Sequence, residues 1–314
     1  MRPVLYVVVP CYNEQEVLPE TSKRLKAKMT ALIESGRIDE KSRVMLVNDG
    51  SKDRTWAMIE ELHENDPLFA GVKLSRNRGH QNALLAGLMT AKEDADVTIS
   101  MDADLQDDID AIDRFLDEFE KGSDVVYGVR SERKADTAFK RMTAEGFYKL
   151  MKALGVDIVF NHADYRLLSR RALEGLAEYR EVNLFLRGMV PLVGFKNSTV
   201  MYERHERFAG ESKYPLKKML AFAFDGITSL SIKPIRLILG LGVIIFLLSL
   251  VMLLYALISK WSGHADTGWT SILASIWMIG GIQLLCLGVI GEYIGKIYSE
   301  TKQRPRYIIE KILK

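Results

Sequence analysis

Residues 237–258 and 268–291 form two apolar runs, of 22 and 24 residues, without one charged side chain. At 1.5 Å per residue a helix of that length reaches about 33 Å, enough to cross a hydrocarbon layer about 30 Å thick. Two membrane spans are therefore expected, over 235–259 and 268–293; the alternative is a pair of buried helices in a soluble protein. The remainder is rich in charge, which predicts a soluble unit over 1–210, a connecting region over 211–233 and a basic tail over 294–314. Between the runs only Lys260 and Asp266 are charged, whereas Lys233 and Arg236 precede the first and Lys296, Lys302, Arg304, Arg306, Lys311 and Lys314 follow the second. The positive-inside rule then predicts a multi-pass protein of the cell (inner) membrane with both termini and the soluble unit cytoplasmic. Trp261 and Trp269 bracket the short loop, as interfacial aromatics do.

Two further stretches bear on the membrane. Over 215–231, Leu216, Met219, Leu220, Ala223, Phe224, Ile227 and Leu230 recur at helical spacing, which predicts an amphipathic helix on the membrane surface or packed on the soluble unit. Gly280, Gly281, Gly288, Gly291 and Gly295 give the second span a small-residue surface suited to self-association. With 43 Lys plus Arg against 41 Asp plus Glu, the net charge of +2 argues against a nucleic-acid partner. Cys11 and Cys286 both sit inside apolar runs, which excludes a disulfide framework. The first apolar stretch stops at Pro10 and is too short and strand-like for an export signal.

Along the first 130 residues, strand patterns at 5–9, 44–47, 72–74, 97–100 and 125–127 alternate with helical ones at 17–33, 55–63, 83–91 and 109–120. Such alternation builds an α/β domain with a mostly parallel sheet and flanking helices. Its ligands bind outside the carboxyl ends of the strands. There the chain carries Pro10-Cys11-Tyr12-Asn13-Glu14, Asn48-Asp49-Gly50-Ser51-Lys52-Asp53, Ser75-Arg76-Asn77-Arg78-Gly79-His80 and Met101-Asp102-Ala103-Asp104-Leu105-Gln106. No Gly-x-Gly-x-x-Gly or Gly-Lys-Ser/Thr loop is present, so neither a classical dinucleotide site nor a P-loop is supported. Asp102 and Asp104 offer hard oxygen ligands that suit a divalent cation bridging to phosphates. A solvated acidic turn, with Asp102 capping the helix that follows, is the other reading.

These strand-end motifs resemble those of inverting glycosyltransferases of family 2, which have the Rossmann-like GT-A fold. Together with Ala163-Asp164-Tyr165-Arg166-Leu167, Arg207-Phe208-Ala209-Gly210-Glu211-Ser212-Lys213 and Gly291-Glu292-Tyr293-Ile294-Gly295, they are similar to the polyprenyl-phosphate glycosyltransferases, bactoprenol glucosyltransferases especially. The resemblance covers essentially the whole chain. It implies that Pro10, Tyr12, Glu14 and Asp49 hold the nucleotide, and that Asp102, Ala103, Asp104 and Gln106 meet the diphosphate, with Asp102 and Asp104 binding Mg2+ or Mn2+. It gives Arg207 to a loop over the diphosphate, with Ser212 and Lys213 as further donors. An ordinary surface arginine is the other reading of Arg207. Arg130, Lys140 and Arg141 form a basic cluster for the acceptor phosphate, or solvated surface charge. Asp164 is implied as catalytic base or, equally open, as the carboxylate that orients an arginine.

The activity implied is transfer of one hexose, glucose from UDP-glucose, onto undecaprenyl phosphate, with inversion to a β-linked product, by a membrane-bound homo-oligomer, a tetramer by resemblance. Other sugars stay open. Asn48, His80, Gln81 and Asp107-Asp108 depart from the common pattern, which leaves the ribose contacts and donor-sugar pocket unassigned. A processive polysaccharide synthase is disfavoured by the absence of a Gln-x-x-Arg-Trp segment and by only two spans. A non-catalytic membrane scaffold remains as a reading from another class.

Overall fold

A computed structural model describes residues 2–131, 162–203, 227–228, 231–261 and 268–314. The chain divides into two units, one built on a sheet and including Gln303–Lys314, the other within Leu216–Lys302.

The first unit runs β1 (Leu5–Cys11), α1 (Leu18–Glu34), β2 (Arg43–Asn48), α2 (Thr55–Asn65), β3 (Phe69–Leu74), α3 (His80–Ala91), β4 (Val97–Ser100), α4 (Ala111–Glu120), β5 (Val125–Arg130), β6 (His162–Ser169), α5 (Arg170–Ala177), α6 (Leu186–Leu192), β7 (Asn197–Tyr202) and, after the second unit, β8 (Ile309–Leu313). The sheet has eight strands in the order β7-β5-β6-β4-β1-β2-β3-β8. The inner strands β4, β1, β2 and β3 are parallel, as the alternation of patterns predicts. Two strands that the apolar pattern did not reveal run against them. β6 lies antiparallel between β4 and β5, and β8 pairs antiparallel with the edge of β3.

All seven residues of β1 are buried, which is why it reads as a continuous apolar run. Its alternate side chains feed two cores. Leu5, Val7 and Val9 pack with Leu18, Leu25 and Met29 of α1 and Ile112, Phe115 and Leu116 of α4. Tyr6 and Val8 pack on the other face with Ala83, Leu84 and Leu88 of α3. Gly87 lets α3 approach closely: a Cβ there would lie 2.4 Å from Val8 Cγ1 and 2.6 Å from Val47 Cγ2. Helix α3 starts three residues earlier than its apolar pattern indicates, so His80 stands on its first turn at the carboxyl edge of the sheet.

The second unit contains α7 (Lys233–Trp261) and α8 (Trp269–Lys302). Both apolar runs are helical, and their described side chains point largely outward, Leu239 being 67% and Leu284 72% exposed. Met278–Lys302 is long and apolar enough to cross a membrane. Near the base of the pair, the Tyr293 hydroxyl donates to the Ser231 carbonyl. The expected helix over 215–231 lies outside the described residues, except for Ile227, Thr228 and Ser231. Residues 294–302 of the expected basic tail continue α8, and Ile309–Leu313 forms β8.

Candidate active site

The loops after β1 and β2 are knitted together by their own signature residues. The Asn13 amide donates to Ser51 Oγ at 3.0 Å, and the Lys52 amide donates to Asn13 Oδ1 at 2.9 Å. The Glu14 amide donates to Thr55 Oγ1 at 2.9 Å, and the Gln15 amide to Asp53 Oδ2 at 3.2 Å. Asn13 adopts φ 55, a conformation Asn tolerates. Gly50 is required where it stands: its φ is +63 and a Cβ would come within 2.4 Å of the Asn77 amide. Tyr12 projects from this platform at 43% exposure, offering an open ring beside the half-buried Glu14.

Asp49 is 2% exposed, and its two carboxylate oxygens accept the amides of Arg78 at 2.7 Å and Gly79 at 2.9 Å. Burial raises its pKa against the pull of those amides. The predicted nucleotide-binding carboxylate thus fixes the loop between β3 and α3. That loop is also held by the tail after α8: Arg78 donates through Nε to the Arg306 carbonyl at 2.6 Å and through Nη2 to the Pro305 carbonyl.

After β4, Asp102, Ala103, Asp104 and Gln106 lie on one short turn, with Leu105 at φ 57 reversing the chain. Thr21 Oγ1 on α1 donates to the Ala103 carbonyl at 2.8 Å, and the Gln106 amide donates to Asp104 Oδ1 at 3.2 Å. Below them Asp107 is 2% exposed, accepts the Tyr202 hydroxyl at 2.6 Å and lies 3.5 Å from Arg130 Nη2. Burial, with Asp102 close by, pushes the Asp107 carboxyl up to about 6. Asp102 is likewise raised, by burial and then by the like charges of Asp164 and Asp104, against the pull of His80. Crowded carboxylates that repel one another fit a divalent cation. Among the described residues no three acidic or imidazole groups converge as a complete cage, so the remaining ligands would be diphosphate oxygens and water.

β6 runs opposite to β4, with Ser100 beside Arg166, which brings Asp164 to the same edge as Asp102. Asp164 meets two guanidinium groups. Arg166, 1% exposed, donates to Asp164 Oδ1 through Nη2 and to the Leu186 carbonyl through Nη1 at 3.3 Å. Arg187, on α6, donates to Asp164 through Nε at 3.2 Å and Nη2 at 3.0 Å. Burial alone would raise the Asp164 pKa, but Arg187 and Arg166 hold it well below the usual carboxylate range. Such a group is a poor proton acceptor and a good anchor for arginine. His80 Nε2 bridges the two acids, 3.5 Å from Asp102 and 3.8 Å from Asp164.

The structure therefore brings Tyr12, Glu14, Asp49, Asp102, Asp104 and Asp164 to the carboxyl edge of one sheet, with Pro10 buried in β1 beneath them. Arg130 closes β5 through Asp107 and the Tyr202 hydroxyl, 3.2 Å from its Nε. Lys140, Arg141, Arg207, Ser212 and Lys213 lie outside the described residues. Arg187 is the site residue that sequence reasoning missed. It belongs to no motif, and its partner is 23 positions away.

Residues 6–176 match the family described as glycosyl transferase family 2, and residues 233–297 match the GtrB C-terminal hairpin. The chain belongs to glycosyl transferase family 2. Within this family it is 54% identical over 98% of its length, and 92% of the relative, to an uncharacterized glycosyltransferase, YkoT, of Bacillus subtilis. It is 39% identical to the prophage bactoprenol glucosyl transferase homolog of Escherichia coli, over 98% of this chain and 99% of that one. It is also 39% identical to the bactoprenol glucosyl transferase of Shigella phage SfII, over 97% of each. Family membership and the mostly parallel sheet agree with the GT-A-like fold expected from the strand-end motifs, and the hairpin match with the paired apolar runs.

Proposed function

We propose that this glycosyltransferase moves one glucose residue from UDP-glucose to undecaprenyl phosphate at the cytoplasmic face of the cell membrane. The observation that carries this reading is the order of groups along one sheet edge. Tyr12 and Asp49 stand at β1 and β2, the Asp102 and Asp104 turn follows β4, and Asp164 stands on β6 with Arg166, joined by Arg187 from α6. A nucleoside, a diphosphate and a transfer point laid side by side would need that order. The names of the bactoprenol relatives support glucose and a polyprenyl phosphate. The hairpin supports a membrane-held site, since drawing a polyprenyl chain out of the bilayer costs about 0.8 kcal/mol per CH2.

In this mechanism a phosphate oxygen of the acceptor attacks the anomeric carbon on the face opposite the leaving group. The bond from that carbon to the diphosphate breaks, and UDP departs with the electron pair. One displacement inverts the centre, so an α-linked donor yields a β-linked lipid phosphoglucose. A phosphate monoester has a second pKa of about 6 and arrives largely ionised, so no strong base is needed. Asp164, held ionised by Arg166 and Arg187, acts as an orienting carboxylate in this reading. Mg2+ or Mn2+ bound by Asp102 and Asp104 would supply Lewis-acid stabilisation of the diphosphate. Arg207, Ser212 and Lys213 are proposed as its cover, Arg130, Lys140 and Arg141 as acceptor-side cations, and the hairpin as a two-span anchor within a homo-oligomer.

The test is transfer of radiolabelled sugar into organic-extractable lipid by purified full-length protein in detergent, with undecaprenyl phosphate, manganese and a panel of nucleotide sugars. Label from UDP-glucose is expected, abolished by EDTA and by Asp104→Asn. Label from another donor would reassign the sugar. Transfer from no donor to any polyprenyl phosphate would overturn the reading.

A further inference from the structure

Asp164 pairs with the buried Arg166. Arg187 is a second partner, and it differs from Arg166 in setting. Its side chain is 33% exposed, against 12% for Asp164 and 1% for Arg166. It meets Asp164 through Nε and Nη2.

The backbone beneath Arg187 is fixed from two sides. The Leu186 amide donates to Gln81 Oε1 on α3 at 2.8 Å, and the Leu186 carbonyl accepts Arg166 Nη1 at 3.3 Å. Leu186 is 1% exposed and opens α6, so its amide and carbonyl need partners in the fold, and these two contacts fix the start of the helix. The same contacts set where the side chain of the next residue, Arg187, leaves the backbone. The position is also informative. Along the edge the nucleotide end of the donor lies at β1 and β2 and the acidic turn follows β4, so β6 lies on the far side of the acidic turn from the nucleoside. An anion arriving there is the acceptor's.

We infer that Arg187 is an acceptor-binding residue: its guanidinium, aimed by Asp164, receives the phosphate group of the acceptor lipid at the mouth of the site. The inference rests on the transfer reaction proposed above and deepens it by naming a phosphate contact among the described residues. The planar fork of arginine suits two phosphate oxygens, and Asp164 keeps that fork oriented before the ligand arrives.

Initial rates of full-length wild type, Arg187→Gln and Arg187→Lys, measured in detergent while undecaprenyl phosphate and the nucleotide sugar are varied in turn, test this. UDP binding to each sample reports on folding. Arg187→Gln is expected to raise the acceptor KM about tenfold or more and to leave the donor KM within about twofold. Arg187→Lys should recover part of the loss, because it restores the charge without the fork. Should Arg187→Gln fail to bind UDP, Arg187→Lys carries the test, with a smaller rise in acceptor KM expected. An acceptor KM unchanged in both variants would overturn the inference and leave the reaction standing. A matching rise in donor KM would overturn it too, by placing Arg187 on the donor diphosphate. A loss of kcat alone would reduce Arg187 to a structural partner of Asp164. Wild type that transfers to no polyprenyl phosphate would overturn the reaction itself.

Discussion

Asp107 shows how a carboxylate can be placed for position at some cost in stability. It lies under the acidic turn, almost fully buried, with one oxygen on the Tyr202 hydroxyl and the other, Oδ2, without a hydrogen-bond partner among the described residues. Its pKa of about 6 stands above the ordinary value of about 3.9 for an unfolded Asp. The sign follows: the folded state favours the protonated form, so stability contributed by this group is present below pH 4 and is lost as pH rises through 6. The loss is on the order of 1–3 kcal/mol, discounted for the neighbouring charges. Asp107→Asn, which keeps an acceptor for Tyr202 and removes the charge, is expected to flatten the denaturation profile between pH 4 and 7. A profile unchanged by the substitution would contradict this assignment. At the same scale, the pair Asp102 and Asp104 and the signature loops were legible because neighbouring residues carry them. The Arg187 contact was not, because only the folded chain brings α6 to β6.

At the scale of elements, apolar runs revealed the strands buried on both faces and missed those of other composition. β6 reads His162-Ala163-Asp164-Tyr165-Arg166-Leu167-Leu168-Ser169, with an arginine buried in its middle. No alternation rule places a strand on that string, since the cost of burying Arg166 is offset by a carboxylate two residues earlier. β7 and β8 are edge strands, whose half-exposed and charged residues blur the period. Gly87 illustrates two opposing element-level effects. Replacing a helical Gly with Ala gains about 1 kcal/mol of helix propensity in an open helix. Here the new methyl would overlap Val8 and Val47, whose branched side chains are locked in the sheet. Overpacking wins, and Gly87→Ala is expected to lose about 1–3 kcal/mol in urea denaturation. A stabilised variant would mean that α3 can move off the sheet.

At the scale of the molecule, the tail after α8 belongs to the sheet unit. It covers the β3 edge with β8 and gives Arg78 two carbonyl acceptors, while Arg306 donates to the Tyr179 carbonyl. Since Arg78 and Gly79 present the amides that Asp49 binds, the tail supports that loop, on the side proposed for the nucleotide. Deleting residues 303–314 is expected to raise the donor KM several-fold and to promote aggregation through the bared β3 edge. Arg78→Ala should reproduce the first effect without the second. Kinetics and size-exclusion chromatography in detergent separate the two, and a deletion with unchanged donor KM would detach the tail from nucleotide binding.

In chain order the apolar hairpin is an insertion between two strands of one sheet. The strand that seals β3 is synthesised only after both apolar helices. Biosynthesis therefore has a built-in sequence: the hairpin leaves the ribosome before the strand that completes the sheet, so under the membrane-held reading proposed above the full sheet is assembled only after its anchor has emerged.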